Sequence, residues 1–340
     1  MRIAIVGPLP PFRGGIADLN SALAHHLSKR HQVHAFNFTT QYPSTLFPGK
    51  TQYKQGSAAQ YFQNTRCLSS INPLTWKKTA DLIIDLEPDL VLFRYWMPFF
   101  APAFTGVAKR IKKHSDINII AMCDNIIPHE ERALDQQLTK RFFDYIDAFI
   151  VLSKKVEEEL LSIIPNAKYK YSPHPIYSIF KDDISKNEAR SQLNISAKNV
   201  MMFFGLIREY KGLDILIEAV GKLKNEMPDF LLLVVGECYE NEQKYLDLIQ
   251  KNELVKAVQT HFSFIPDNEV GTYFAAADVI VLPYRTASQS GIVQIAYHYD
   301  TPVIVSNVGG LPEIVDEGKT GYCVDPNPAD FAGAIKTFFL

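Results

Sequence analysis

Phe203-Phe204-Gly205-Leu206-Ile207-Arg208-Glu209-Tyr210-Lys211-Gly212-Leu213-Asp214-Ile215-Leu216-Ile217-Glu218-Ala219 runs from an apolar stretch through a short loop into an amphipathic helix. Val200 to Phe204 has the length and apolar continuity of a buried strand and stops at Gly205. Leu213, Leu216, Ile217 and Val220 then fall on one helical face. Strand, loop and helix in that order place Arg208 and Lys211 where a helix amino terminus already favours negative charge, so the segment suits a diphosphate. A plain βα turn with solvated cations would carry the same pattern.

Outward from this turn, strand-like runs alternate with helical patterns twice over, the mark of βαβ units and parallel sheets. The first set is Ile3 to Val6, Val33 to Phe38, Leu90 to Phe93, Ile117 to Met122 and Ala148 to Leu152. The second is Val200 to Phe204, Phe230 to Val235, Thr260 to Ile265, Val279 to Leu282 and Val303 to Ser306. Between them Tyr171-Ser172-Pro173-His174-Pro175-Ile176-Tyr177 opposes helix and reads as an extended linker. The expected architecture is α/β: two Rossmann-like, doubly wound parallel-sheet domains, residues 1–172 and 173–340, facing a cleft for ligand.

Composition agrees with two ordinary globular domains, with 340 residues of which 47% are apolar. A net charge of −2 points away from nucleic acid and leaves any anionic ligand to local cations. Cys67, Cys123, Cys238 and Cys323 have no metal or redox spacing and read as small buried residues in a reducing compartment. No apolar run approaches the ~18 to 20 residues of a membrane span. The Met1-Arg2-Ile3-Ala4-Ile5-Val6-Gly7 start is too short for a signal-peptide core. A cytoplasmic protein is expected, with the inner face of the cell membrane as the surface it would touch.

Three further loops carry chemistry. Gly7-Pro8-Leu9-Pro10-Pro11-Phe12-Arg13-Gly14-Gly15 precedes a helix expected to begin near Asp18; Gly14 and Gly15 let the backbone approach phosphate or sugar hydroxyls closely. The spacing is not G-x-G-x-x-G, which disfavours a dehydrogenase. Cys123-Asp124-Asn125-Ile126-Ile127-Pro128-His129-Glu130 puts a histidine and acidic groups at the end of a buried strand, where an open α/β domain holds reactive side chains. The bland alternative makes His129 a surface residue and Glu130 a first-turn charge. In Pro283-Tyr284-Arg285-Thr286-Ala287-Ser288-Gln289-Ser290-Gly291, the last two residues precede a helix and either offer amides to a phosphate or simply cap it.

These motifs together resemble glycosyltransferase family 4, retaining enzymes of the GT-B fold that use nucleotide sugars. The likeness begins at the first-loop glycines and includes Gln41-Tyr42-Pro43 and Leu46-Phe47-Pro48-Gly49-Lys50-Thr51-Gln52, to which no chemistry is assigned. It extends through Gly309-Gly310-Leu311-Pro312-Glu313-Ile314-Val315 and Gly318 to Gly321-Tyr322, as far as Asp325-Pro326. It implies an acceptor domain followed by a donor domain, with Gly14 and Gly15 lining the cleft and Gly15 and His129 at the reacting centre. It also implies that Arg208, Lys211, Ser290 and Gly291 hold the diphosphate. Two departures stand out. Asp124 occupies the first histidine position of a His-Asn-x-x-Pro-His-Glu pattern, and replacing it with histidine is expected to be tolerated. Ala287 and Ile295 occupy the places of two glutamates, for which Glu237 and Gln294 are the expected substitutes in sugar and ribose contacts.

Asp182-Asp183 and Asp81 to Asp85 lack the placement of an Asp-x-Asp metal motif. With Arg208 and Lys211 available to neutralise the leaving diphosphate, the reading is metal-independent, with no cofactor beyond the nucleotide diphosphate sugar as co-substrate. Tyr95-Trp96-Met97-Pro98-Phe99-Phe100-Ala101-Pro102-Ala103-Phe104, followed by Lys109, Arg110, Lys112 and Lys113, is the candidate for peripheral membrane contact; the same residues would also serve as core or as an acceptor-pocket wall. The chain stops inside the apolar pattern Phe331 to Leu340, and the family's returning terminal helix is expected to be missing. The expected activity is retaining sugar transfer to a glycan or lipid-linked acceptor in cell-surface polysaccharide synthesis. A nucleotide-sugar 2-epimerase, consuming donor without acceptor, and a noncatalytic nucleotide-sugar-binding protein stay open.

Overall fold

A computed structural model describes residues 1–43, 47, 51–54, 62–128, 133–176, 180 and 184–340. Of the residues singled out above, Leu46, Pro48, Gly49, Lys50, His129, Glu130, Tyr177, Asp182 and Asp183 lie outside this set. The chain divides into two compact units, Met1–Pro173 and His174–Leu340.

The first unit runs β1 (Arg2–Val6), α1 (Gly15–Ser28), β2 (Gln32–Thr40), β3 (Gln63–Ser69), α2 (Pro73–Leu86), β4 (Leu90–Tyr95), α3 (Ala101–His114), β5 (Asn118–Cys123), α4 (Asp135–Phe143), β6 (Ala148–Val151), α5 (Lys154–Ile163) and β7 (Tyr169–Tyr171). Its described strands form one parallel sheet in the order β3-β2-β1-β4-β5-β6-β7. The second runs α6 (Lys186–Gln192), β8 (Asn199–Phe204), α7 (Leu213–Leu223), β9 (Phe230–Val235), α8 (Glu242–Lys251), β10 (Val258–His261), α9 (Asp267–Ala276), β11 (Val279–Leu282), α10 (Gly291–His298), β12 (Val303–Ser306), β13 (Gly321–Val324) and α11 (Pro328–Phe339). Its sheet, also parallel, has the order β10-β9-β8-β11-β12-β13.

Three strands absent from the sequence reading complete these sheets. In β3, Gln63-Asn64-Thr65-Arg66 is polar because only its carboxyl half is buried. In β7, Tyr169-Lys170-Tyr171 is an edge strand, so the linker begins at Ser172 and not at Tyr171. The third, β13, forms the opposite edge of the second sheet. The Thr260 to Ile265 expectation is also corrected. The ladder to β9 pairs Val258 with Leu232 and His261 with Val235, so the strand starts earlier and ends where its partner ends.

Of the two readings of the aromatic segment, membrane contact or core, the structure shows core. Tyr95, Trp96, Phe100 and Phe104 are buried, and Phe93, Phe104 and Phe142 pack edge to face with centroids 5.3 and 5.4 Å apart. Such packing removes each ring from water at a gain of about 1.5–3 kcal/mol. Of the cations that follow, Arg110 pairs with Asp81 and Lys112 with Asp147. Among the described residues no helix is long and apolar enough to cross a membrane.

At the carboxyl edge of the second sheet the loops meet backbone to backbone. Gly236, with φ 141°, lies so close to the Gly205 carbonyl that an added Cβ would sit 1.9 Å from its oxygen. Gly212, with φ 65°, similarly leaves only 2.0 Å between an added Cβ and the Pro283 carbonyl oxygen. Gly212→Ala is expected to cost about 2–4 kcal/mol of unfolding free energy, because backbone and not a flexible side chain must give way. Gly333→Ala, on the exposed face of α11 where an added methyl meets nothing within 4 Å, is expected to gain about 0.5–1 kcal/mol. Urea unfolding of both variants checks this; a Gly212→Ala protein as stable as wild type would contradict the close approach.

Candidate functional site

In the second sheet the direction of winding reverses between β8 and β11, the point at which neighbouring loops part and an open parallel sheet receives ligand. The chain leaving β8 runs beside that leaving β9: the Ile207 amide donates to the Glu237 carbonyl at 3.0 Å, and the Tyr239 amide to the Ile207 carbonyl at 3.0 Å. This places the Arg208 guanidinium carbon 5.2 Å from the centre of the Tyr239 ring. The Lys211 ammonium stands 3.7 Å from the centre of the buried Tyr284 ring and 5.3 Å from that of Tyr210. Burial pushes the Lys211 ammonium below its usual range; Tyr210 opposes this and Arg208 adds to it. Among the described residues neither Arg208 nor Lys211 pairs with a carboxylate.

Arg285 is differently placed. It grips Asp214 in the first turn of α7 through two bonds of 2.9 and 2.5 Å, and donates to the Glu209 carbonyl at 2.8 Å. Burial works to raise the Asp214 carboxyl, but the Arg285 fork outweighs it and holds the carboxyl below the usual range. The Arg285 amide also donates to the Tyr210 carbonyl at 2.8 Å. Arg208 to Gly212 is therefore fixed by the loop that follows β11.

That second loop ends at α10, whose N-cap residue Ser290 makes no side-chain cap. The first amides of α10, from Gly291 onward, thus have no side-chain acceptor at the cap, and unpaired helix-start amides attract anions. The Ser290 and Tyr284 hydroxyls are buried here without a well-formed hydrogen bond. Burial raises the Tyr284 phenol well above its ordinary range, with Ser290 working the other way. An added Cβ on Gly205 would lie 3.5 Å from Ile292, so the end of β8 and the start of α10 are neighbours. The structure thus brings Arg208, Lys211, Ser290 and Gly291 to one edge. Glu237 and Gln294 are each 5% exposed there, and Ala287 and Ile295 each 7%.

In the first unit the reversal lies between β1 and β4. Asparagines hold the loop after β1: Asn37 donates to the Leu9 and Pro10 carbonyls at 3.0 and 3.1 Å, Asn64 to Pro10 at 3.1 Å, and Asn20 to Pro8 at 3.1 Å. Gly14 is the N-cap of α1 and Gly15 its first residue. The helix therefore starts three residues before the expected Asp18, because the Asp18 amide already closes the first turn on the Gly14 carbonyl at 3.1 Å. The Asp18 carboxylate pairs with Lys54.

Asp124 is not an open position awaiting a histidine. Both its oxygens accept from Arg94, whose side chain is 1% exposed. Beyond it, one Glu159 oxygen accepts from the Ile126 and Ile127 amides at 3.3 and 3.1 Å. Asp124→His would strand a buried guanidinium, a change worth about 3–5 kcal/mol in such pairs, so the expected tolerance is withdrawn.

The family described as Glycosyl transferases group 1 matches residues 185–340, and Glycosyltransferase Family 4 matches residues 13–176. The chain is a GT-B glycosyltransferase of the family 4 type. It is 22% identical to spore coat protein SA of Bacillus subtilis (strain 168), covering 98% of this chain and 89% of that one. It is 24% identical to the GDP-mannose-dependent alpha-(1-6)-phosphatidylinositol monomannoside mannosyltransferase of Mycolicibacterium smegmatis, covering 96% and 86%. Anabaena Alr3699/HepE, solved in complex with UDP, superposes with a TM-score of 0.73 at 18% identity, over 99% of this chain and 89% of that one.

In this glycosyltransferase the sequence reading missed Tyr284 beneath Lys211, the Arg285–Asp214 clamp, and the groups behind the loop after β5. Arg94 had a visible signal, a charge in the otherwise apolar strand Leu90 to Tyr95. Glu159 had one too, lying three residues after Val156 and one before Leu160, on the inward face of α5. Among the described residues no group of three or more His, Cys, Asp or Glu side chains could hold a metal ion.

Burial raises the Glu159 carboxyl above its ordinary range, outweighing the two amides that lower it. Its proton is therefore held more tightly in the folded chain than in the unfolded one. The stability this contributes is complete below the unfolded pKa and is lost as pH rises from there through the folded value. Glu159→Gln keeps an acceptor for both amides and removes the titration, so its stability relative to wild type should rise across that window and then level. Glu159→Ala should lose about 1–3 kcal/mol by leaving two buried amides unpaired. Denaturant unfolding from mildly acid to neutral pH checks both; a Glu159→Gln protein that weakens relative to wild type as pH rises would contradict the burial argument.

Proposed function

We propose that this enzyme transfers a sugar, with retention of configuration, from a nucleotide diphosphate sugar to a glycan or lipid-linked acceptor in cell-surface polysaccharide synthesis. The observation that carries the reading is the pair of cations without carboxylate partners, Arg208 and Lys211, beside the uncapped start of α10. A diphosphate would complete that charge balance and meet both side chains and amides at once. Donor use is supported by relatives whose names cite GDP-mannose and UDP-glucose, and retention by the family. The second unit is read as the donor domain and the first as the acceptor domain. Gly14, Gly15 and His129 act on the sugar side, Ser290 and Gly291 hold phosphate, and Glu237 and Gln294 touch the ribose and sugar.

In transfer, the bond from the anomeric carbon to the diphosphate oxygen breaks as the acceptor hydroxyl bonds to that carbon. Charge builds on the leaving diphosphate. Arg208, Lys211 and the α10 amides are already oriented to stabilise it, which lowers the barrier without a metal. Lys211→Ala is expected to weaken binding of a nucleoside diphosphate by about 1.5–3 kcal/mol, roughly tenfold to a hundredfold, and that of the matching nucleoside little. Since burial holds Lys211 below its usual range and an anion would restore it, binding should take up protons between the free-site value and the restored one. Affinity should fall as pH rises through the free-site value, and Lys211→Ala should abolish this dependence. Isothermal titration with UDP, GDP, uridine and guanosine reads all of this; equal loss for diphosphate and nucleoside would remove Lys211 from the site. EDTA is expected to leave turnover intact, whereas activity lost to chelator and restored by Mn or Mg would contradict metal independence.

A further inference from the structure

We propose that the buried Arg94–Asp124 ion pair is a positioning device for sugar transfer, holding the chain 124–128 at the reacting edge of the first unit. Its location is the first argument. Arg94 is the penultimate residue of β4 and Asp124 the first residue after β5, and an added Cβ on Gly7, just past β1, would come within 2.9 Å of the Arg94 Cβ and 2.7 Å of the Asn20 amide nitrogen. The pair therefore occupies the reversal point of the sheet, and Gly7 is the residue that leaves room for it. Its energetics are the second. Taking both ions out of water offsets most of their attraction, so well-packed apolar residues in their place would be about as stable or more so. Stability alone does not account for it.

Its geometry is the third argument. The planar guanidinium meets both carboxylate oxygens, which fixes the orientation of Asp124 as well as its position. The Asp124 amide donates to the Tyr95 carbonyl at 2.9 Å, so backbone and side chain are both tied to the end of β4. Glu159 then holds the next turn through the Ile126 and Ile127 amides. Chain leaving β5 is thus anchored at Asp124 and again at Ile126–Ile127 before it reaches Pro128. The consequence is a fixed path for residues 124–128, and a misplacement of about 1 Å in a reacting site costs on the order of a hundredfold in rate. This depends on the glycosyltransferase activity itself and not on the donor or acceptor proposed above.

The test separates position from stability. Arg94→Met and Asp124→Leu singly should destabilise the protein, and the double variant should recover wild-type unfolding free energy. Its kcat should stay about tenfold to a hundredfold down, with donor KM within about threefold of wild type. Hydrogen exchange of the 124–127 amides, measured without ligand, should be at least about tenfold faster in the double variant despite equal global stability. Wild-type kinetics and exchange protection in a stable double variant would overturn the proposal. If the double variant does not fold, Arg94→Lys decides: it keeps the charge and loses the fork, so an unchanged kcat and unchanged 124–127 exchange would equally overturn it. Turnover is read with UDP-glucose and GDP-mannose; failure of the wild type on both counts against those donors and leaves the exchange result standing.

Discussion

The donor-side edge depends on backbone approaching backbone. Gly236 against the Gly205 carbonyl and Gly212 against the Pro283 carbonyl bring the chains leaving β8, β9 and β11 closer than any side chain would allow. Only with that spacing does the Ile207–Glu237 hydrogen bond form, and only then does Lys211 reach the face of Tyr284. Arg285 follows from it as well, since its fork to Asp214 and its bond to the Glu209 carbonyl tie the two loops across the same narrow gap.

Charge is distributed unequally over this frame. Arg285 is neutralised by Asp214, and Arg94 by Asp124, so each serves as a strut. Arg208 and Lys211 are stacked on rings instead, which lowers the cost of partial burial without cancelling their charge. Cations left in that state next to unpaired helix amides form a preorganised field, and preorganisation is what favours charge that appears only as a bond breaks. The contrast between paired and ring-stacked cations is how one fold holds its loops still and keeps its chemistry available.

The parallel sheets were legible because central strands such as Val200 to Phe204 are continuous apolar runs, and the β8-to-α7 turn because a glycine, two cations and an amphipathic face occur in sequence. Edge strands were not, since β3 and β7 have one exposed side and read as loops. The start of α1 was placed near Asp18, three residues late, because its N-cap Gly14 has no side chain to mark it. Tyr95 to Phe104 stayed open between membrane contact and core because aromatic residues followed by lysines look amphipathic in one dimension; the inward face of α3 is settled only by Phe93 and Phe142, which lie far apart in the chain. Asp124 shows the same limit, for its partner lies thirty residues away and nothing local distinguishes a strut from a ligand contact.

The central claim is that a diphosphate seats between the loop after β8 and the start of α10. A crystal structure of the protein with a bound nucleoside diphosphate tests it most directly. The account predicts phosphate oxygens within hydrogen-bonding distance of Arg208, Lys211 and the first amides of α10, with the Arg285–Asp214 clamp unchanged. A diphosphate bound away from those cations, or one that draws Arg285 off Asp214 while Lys211 stays on Tyr284, would contradict it.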